Sequence, residues 1–364
     1  MLTFNNYNLT FDNQWLMPLY NRHNLPAYSI RIRTDGYSPD WFVKAGATWV
    51  AVAGEPNVYD ITYNNPDWNS LLSMSGGLRI RNEHIIEVID ANTKGVTIMR
   101  ALFAGCVNLE SVPLFDTSDV TDMYYMFGMF SQYSALRKLK SVPLFDTHNV
   151  TNMSGMFSGC KGLETVPLFD THNVTTMNSM FDNDGDPIDH SNSLRYVPNF
   201  DTSNVTDMSG MFRYCTKLES IPCFNTSNVT NMHEMLYNCS SLQSIPAFDT
   251  SNVVNLKGFF GHFIANTTVE ELPLLNTHNV TNMESAFHNC KALKHIPLFD
   301  TSSVTYTRTM FSGCNNVESG ALALYQQMST QTNPPTTHNM TFWRCGSNTV
   351  TGAAELAQIP DDWK

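Results

Sequence analysis

The sequence predicts an α/β repeat solenoid of leucine-rich-repeat-like type, with a short strand and a short helix in each coil, a small β-rich N-terminal domain and a C-terminal cap. Three observations predict it. A unit of 24 residues recurs along most of the chain. Inside the unit the apolar spacing changes from helical to extended. Tryptophan is confined to the two ends, at Trp15, Trp41, Trp49 and Trp68 before the repeats and at Trp343 and Trp363 after them.

The unit is plain in LKSVPLFDTHNVTNMSGMFSGC, residues 139–160. Its prolines fall at Pro113, Pro143, Pro167, Pro198, Pro222, Pro246, Pro273 and Pro297, in steps of 30, 24, 31, 24, 24, 27 and 24 residues. Three copies therefore carry insertions of 6, 7 and 3 residues, expected to bulge from one edge. A degenerate copy comes first, with Val96-Thr97 and Met99 placed 24 residues before Val120-Thr121 and Met123. At the other end Val304, Met310, Phe311 and Cys314 complete a last turn, and the pattern dissolves at Gly320-Ala321. Atypical end copies are what capping repeats look like.

Val150, Met153, Met156, Phe157 and Cys160 are spaced like one face of a helix, which predicts about two helical turns capped by Thr147 or Asn149. Leu163, Val166 and Pro167-Leu168-Phe169 predict a short strand that the proline ends. Asp170-Thr171-His172-Asn173 predicts a turn held by its own side chains. One unit cannot bury its apolar face alone. Stacked units can, at about 4.8 Å per coil.

Four segments follow: an N-terminal arm over 1–25, a small β-rich domain over 26–84, the repeats over 85–318 and a C-terminal cap over 319–364. Alternation over Tyr28–Arg33, Thr48–Ala53 and Val58–Tyr63 predicts strands in the second segment. Ala321–Met328 and Ala353–Gln358 predict helices in the last.

Charge narrows the function. Of the 364 residues 15% are charged, the formal net charge is −12, and no basic cluster stands out. Nucleic acid and anionic membrane surfaces are disfavoured as partners, since both need Lys and Arg to neutralise them. No apolar run is long enough to span a membrane. The first residues, MLTFNNYNLTFDNQWLMPLY, lack a basic segment followed by an apolar one, so no secretory signal is expected. The chain is expected to stay in the cytosol or to leave by assembly into a virus particle.

Chemical signals are weak. Cys106, Cys160, Cys215, Cys239, Cys290 and Cys314 share one column and read as stacked small hydrophobes, while Cys223 and Cys345 fall off it. No zinc-ligand spacing occurs, and only Cys215 with Cys239 or Cys290 with Cys314 are placed for disulfides. Met123, Met153, Met177, Met208, Met232 and Met283 read as core, and His148, His172 and His278 as a solvent-facing turn position. Asp182-Asn183-Asp184-Gly185-Asp186-Pro187-Ile188-Asp189 is the sharpest ligand hint. Its alternating Asp oxygens suit Ca²⁺, but its glycine is misplaced and no closing Glu follows, so a solvated acidic loop is the preferred reading. Asn149, Asn173, Asn204, Asn228 and Asn279 sit in Asn-Val-Thr, explained by the repeat without a glycan. No catalytic, cofactor or metal residues are assigned, because a polar residue present in every coil reads as architecture.

The unit VPLFDTSNVTDMSGMFSGC, in variants such as FDTSNVTDMSGMFRYC over 200–215, resembles the BspA-like leucine-rich repeat family of bacterial surface proteins, over about residues 85–318. The flanks ATWVAVAGEPNVYDITYNNPDWNSLL and TGAAELAQIPDDWK resemble segments of proteins encoded by phages of gut Bacteroides-type hosts. That resemblance implies a virion protein of tail, fibre or capsid decoration, assembled in the host cytoplasm. It would contact other virion proteins and a host surface protein or glycan, without cofactor, and as a homo-oligomer of unspecified copy number. A bacterial surface adhesin is the alternative, and a glycan depolymerase a remote one.

Overall fold

The computed structural model describes residues 24–39, 47–63, 83–128, 138–183, 192–261 and 268–364. Most of the expected N-terminal arm, Trp15, Trp41 and Trp68, and the bulk of the three insertions lie outside these residues.

The N-terminal segment folds as a four-stranded antiparallel sheet of β1 (Ser29–Thr34), β2 (Ala47–Ala51), β3 (Val58–Tyr63) and β4 (Ile85–Asn92), in the order β2-β3-β1-β4. Alternation sends Ile30, Ile32, Ile61 and Val88 into the core. On the other face the guanidinium of Arg31 grips Asp60 with two hydrogen bonds of 2.6 and 2.8 Å. The outer side of β4 meets the first coil. Glu110 donates its N–H to Ile86 O at 2.9 Å, and Val88 donates to Ser111 O at 3.2 Å. The sheet thus closes one end of the stack, covering an edge that would otherwise template pairing.

The coils depart from the α/β solenoid expected from the sequence. Among the described residues none contains a helix. Among the described residues the two α-helices, α1 (Ala321–Thr330) and α2 (Val350–Ala357), both follow the coils, and the multi-residue strands all belong to the N-terminal sheet. The segment expected to be helical is a staircase of tight turns. Met156, Ser158 and Cys160 donate their N–H groups to Met153, Gly155 and Phe157 within the coil. Met153, Gly155, Phe157 and Gly159 donate theirs instead to Thr176, Asn178, Met180 and Asp182 of the next coil, at 2.7–3.2 Å. Half the amides are therefore committed across coils, where an α-helix would need them all inside.

Backbone conformation shows why. The residue two after the column methionine, or after Leu256 and Thr307 in its place, is left-handed in coil after coil, at Tyr125, Gly155, Ser179, Gly210, Glu234, Gly258, Ser285 and Thr309, with φ between 52 and 63°. A left-handed residue breaks a right-handed helix at each recurrence. The expected strand survives only as isolated parallel bridges at the two ends of the stack, Glu87 with Ser111, Glu271 with His295 and His295 with Ser319. In mid-stack Leu163–Phe169 makes one backbone hydrogen bond to its neighbour, from Glu164 N–H to Lys140 O, and the long parallel ladder runs elsewhere. It passes through Ile98, Asp122, Asn152, Thr176, Asp207, Asn231, Asn255, Asn282, Tyr306 and Thr337.

Two side-chain ladders tie the coils together and explain the repeated Asp-Thr and Asn-Val-Thr. Buried threonines donate their hydroxyls to the main chain of the next coil: Thr147 to Asp170 O at 2.7 Å, Thr171 to Asp201 O at 2.8 Å, Thr226 to Asp249 O at 2.8 Å. Each satisfies a carbonyl that would be costly to bury unpaired. Asparagines donate their amides in the opposite direction, Asn149 to Ser118 O at 2.8 Å and Asn228 to Ser203 O at 2.7 Å. The core itself is a Met column beside a Phe column, with Phe127, Phe157, Phe181 and Phe212 stacked at 5.6–5.7 Å and nearly parallel.

The C-terminal end carries a further partial coil. Thr337–Gly346 repeats the staircase, Phe342 stacks on Phe311 at 6.3 Å, and Cys345 takes the column position that the sequence reading denied it. Where no next coil follows, side chains substitute for its backbone. Gln331 Oε1 accepts the hydroxyl of Thr301 at 3.0 Å, and Gln327 donates to Phe299 O at 2.7 Å. Thr349 caps α2 by accepting from Gly352 N–H, and its own hydroxyl donates to Val317 O at 2.7 Å. Glu355 of α2 accepts from Leu322 N–H in the first turn of α1 at 3.0 Å. Trp363 is buried, stacked on His338 at 4.2 Å with Tyr325 edge-on at 5.4 Å. No helix among the described residues is long and apolar enough to cross a membrane.

Candidate recognition surface

Most positions of the unit are bound by the stack. Thr and Asn serve the ladders, Asp and Asn hold the turn, and Val, Met, Phe and Cys fill the core. Two positions on the staircase change from coil to coil, some of them buried or bonded within the stack, as Ser154 is to Thr176 and Asn178 to Ser209, and others open, as at Arg100, Arg308 and Trp343. One follows the column methionine, or Leu256, Thr307 and His338 in its place: Arg100, Tyr124, Ser154, Asn178, Ser209, His233, Lys257, Glu284, Arg308, Asn339. The other follows the column phenylalanine, or Leu236 in its place: Ala104, Gly128, Ser158, Asp182, Arg213, Tyr237, Gly261, His288, Ser312, Trp343. No two neighbouring coils share a residue at either. Because the backbone repeats while these side chains change, the strip is where the chain is individual.

The strip is also rich in the side chains that anchor interfaces, Tyr, Trp and Arg. At its N-terminal part the guanidinium of Arg100 lies over the Tyr124 ring at 5.8 Å and bonds Asp122 at 2.6 Å. The Tyr125 ring covers Gly155, where any side chain would overlap it, and burial pushes its phenol pKa up. In the middle Arg213 bridges coils. Its guanidinium holds both oxygens of Asp182, at 3.2 and 2.9 Å, and one of Glu234 at 3.0 Å. Hydrogen bonding from His233, followed by the charges of His233 and Arg213, holds the Glu234 carboxyl below its usual range. Beside this group Tyr214 and Tyr237 meet edge-to-face at 5.6 Å. At the far end the Arg344 guanidinium lies 4.4 Å over the exposed Trp343 ring.

The fork is worth testing, because the Asp182 side chain is only 9% exposed and that of Arg213 29%. Arg213→Ala is expected to lower unfolding free energy by about 1–2 kcal/mol, less than a fully buried pair would lose. Arg213→Lys should recover little, since an ammonium cannot match the bidentate geometry. Urea unfolding of the three proteins measures both.

The residues singled out in the sequence fall as follows. Asp182 is engaged by Arg213, and Asn183 donates its amide to Phe181 O at 2.9 Å while its buried Oδ1 has no hydrogen-bond partner. The rest of that loop lies outside the described residues. His148 and His172 are each bonded to the carboxylate two residues before them, Asp146 at 2.6 Å and Asp170 at 2.7 Å, and His278 bonds Asp300 of the next coil at 3.0 Å. Bonds from Ser302, then from His278, hold the Asp300 carboxyl down at about 2. The sequon asparagines hold neighbouring coils with the very nitrogen that a glycan would need. The strip itself was missed: its signal was the change from copy to copy, and reading the segment as a helix hid the alignment of the changing positions.

All eight cysteines are free, and only Cys223 is exposed. The others are buried, and several donate to core carbonyls, as Cys215 to Phe181 O at 3.2 Å and Cys239 to Phe212 O at 3.1 Å. Burial pushes the pKa of Cys215 and Cys239 up. A thiol reagent near pH 8 is therefore expected to label one cysteine rapidly in the native chain and all eight after denaturation. Peptide mapping should place the first label on Cys223.

The family profile described as "Mycoplasma protein of unknown function, DUF285" matches the chain over residues 72–185, 128–220, 169–270 and 263–332, in overlapping windows. No curated protein and no solved structure matches it.

Proposed function

We propose, given that the chain belongs to the DUF285 family, that it is a non-catalytic structural protein of a phage particle, whose coil stack holds the variable strip toward a host surface or neighbouring subunits. One observation carries the scaffold reading. Most polar side chains repeated from coil to coil hold one coil to the next or close a turn, while two positions that change from coil to coil line one strip, partly buried and partly open. Such a design suits recognition, because a repeated backbone offers a rigid ruler on which single side chains can be exchanged. The particle setting rests on the likeness of the flanks 47–72 and 351–364 to phage-encoded segments.

Mass spectrometry of purified particles tests the setting. The chain is expected among the virion proteins, and its absence there together with its presence on cell envelopes would favour the adhesin. For the strip and the Tyr214 ring packed beside it, Tyr214→Ala with Tyr237→Ala is expected to weaken attachment to host cells at least tenfold with the unfolding midpoint nearly unchanged. Turnover of host glycan by the purified chain would overturn the non-catalytic reading.

A further inference from the structure

The sheet at the start of the stack leaves one pairing edge open. Strands β1 and β3 are paired on both sides, and β4 meets the first coil on its outer side, while β2 has β3 on one side only. Val52 donates its N–H to Val58 O at 2.9 Å, so in the alternation of an antiparallel pair Val50 and Thr48 also bond toward β3. Ala47, Trp49 and Ala51 therefore turn their N–H and C=O groups away from the sheet. Among the described residues no backbone group pairs with them. The edge also lacks the devices that usually protect one: Ala47–Ala51 has no charge, no proline and no bulge in its register. Val50 is 69% exposed, and Trp49 is half-buried, edge-on to Tyr59 at 5.4 Å.

Sequence and position indicate the occupant. Ala47-Thr48-Trp49-Val50-Ala51 reads nearly the same from either end, since Thr and Val share one branched shape. A foreign peptide added at this edge would need no such match, whereas two identical strands about a twofold axis meet their own sequence reversed. Strand β2 is also the outermost layer of the stack. The layers run β2, β3, β1, β4 and then the coils, so the other strands and the coils all lie to one side of it. A second copy therefore meets no coil in its way. The opposite end of the stack is taken, where Phe342 donates its N–H to Trp363 O at 2.9 Å.

We propose that two copies of this chain join end to end through β2, about a twofold axis at Trp49 perpendicular to the sheet. Ala47 then pairs with Ala51 of the second copy, Thr48 with Val50 and Trp49 with its own counterpart. The outward groups of Ala47, Trp49 and Ala51 exchange about six hydrogen bonds. The two four-stranded sheets become one continuous sheet, and the coils of the two copies point in opposite directions. With the other end capped, assembly stops at two. The join is about 17 Å long. It buries less than the roughly 1,200 Å² of a stable interface, so the dimer is weak and reversible.

Sedimentation velocity of the full-length chain over a range of concentrations is expected to show a monomer–dimer equilibrium. Small-angle scattering of the dimer should give a longest dimension nearly twice the monomer's. Thr48→Lys with Val50→Lys sets like charges against each other across the axis and should weaken the dimer at least about tenfold. Thr48→Glu with Val50→Lys sets opposite charges there and should restore it, because the two exposed positions face each other between copies only in this register. Val350→Glu, exposed at the far end of the stack, should change nothing. All variants should keep a parent-like unfolding midpoint. A chain monomeric at every concentration, a dimer no longer than the monomer, one indifferent to the lysine pair, or one that the glutamate–lysine pair fails to restore would each overturn the proposal. So would a chain that dimerises only after residues 1–23 are removed, which would put that segment on the edge instead. The purified chain alone suffices, so the outcome is separate from whether the protein belongs to a particle.

Discussion

Phe212→Ala is expected to remove about 3–5 kcal/mol of unfolding free energy. Phe212 is fully buried in mid-stack, with Phe181 parallel at 5.6 Å and Phe224 at 6.3 Å. The neighbouring coils are held apart by hydrogen-bonded ladders on both sides, so they cannot collapse into the space left behind. Removing the ring also ends its stacking on each face, which adds to the cost of the cavity. Each coil also touches mainly its neighbours, so the lesion should do more than lower the midpoint. It should uncouple the stack at that coil and turn one urea transition into two, with the half closed by the N-terminal sheet and the half closed by α1 and α2 melting separately. Circular dichroism and hydrogen exchange along the chain measure both effects. A single transition shifted by under about 1 kcal/mol would show that the phenylalanine column is not what couples the halves.

Gly352→Ala is expected to cost about 2–3 kcal/mol and to free the C-terminal end. Gly352 lies in the first turn of α2, and a methyl group there would overlap Val317 O and come within 2.7 Å of Gly346 Cα. Both obstacles are backbone, so α2 itself must lift. Lifting it withdraws the Thr349 bond to Val317 O and the Glu355 carboxylate over α1. Hydrogen exchange should rise over residues 336–363 and little elsewhere. Unchanged protection there would show that the end coil is held by its own ladder bonds without α2.

The repeat, its 24-residue length and its core columns were legible in the sequence because each is a matter of period and residue type. Met153, Phe157 and Cys160 are buried where the spacing placed them, and β1, β2, β3, α1 and α2 lie where the alternation and the apolar faces pointed. The path between those points was not legible. A spacing of three, one and three residues fits a helix and also fits turns that each advance three residues. What separates them is the sign of φ at one residue, and only some copies advertise it with glycine. Gly155, Gly210 and Gly258 do so, while Tyr125, Ser179, Glu234, Ser285 and Thr309 adopt the same left-handed conformation without it. Hydrogen bonds between coils impose that conformation at the cost of about 1 kcal/mol or more per residue, a tertiary demand that local propensity cannot report. Cys345 was misplaced for a similar reason, since the long excursion through α1 interrupts the count by which its column is recognised.

The ladders have a consequence for how such genes change. The ladder bonds recur from unit to unit between equivalent positions, as Thr202 joins Asn225 O and Thr226 joins Asp249 O. Excision of residues 203–226 would leave Thr202 facing Asp249 O, with the same geometry restored. Homologous exchange between such similar stretches of coding DNA can therefore lengthen or shorten the protein in whole coils, each viable on arrival. Lineages can vary the reach of the rod and the order of its surface residues without passing through misfolded intermediates.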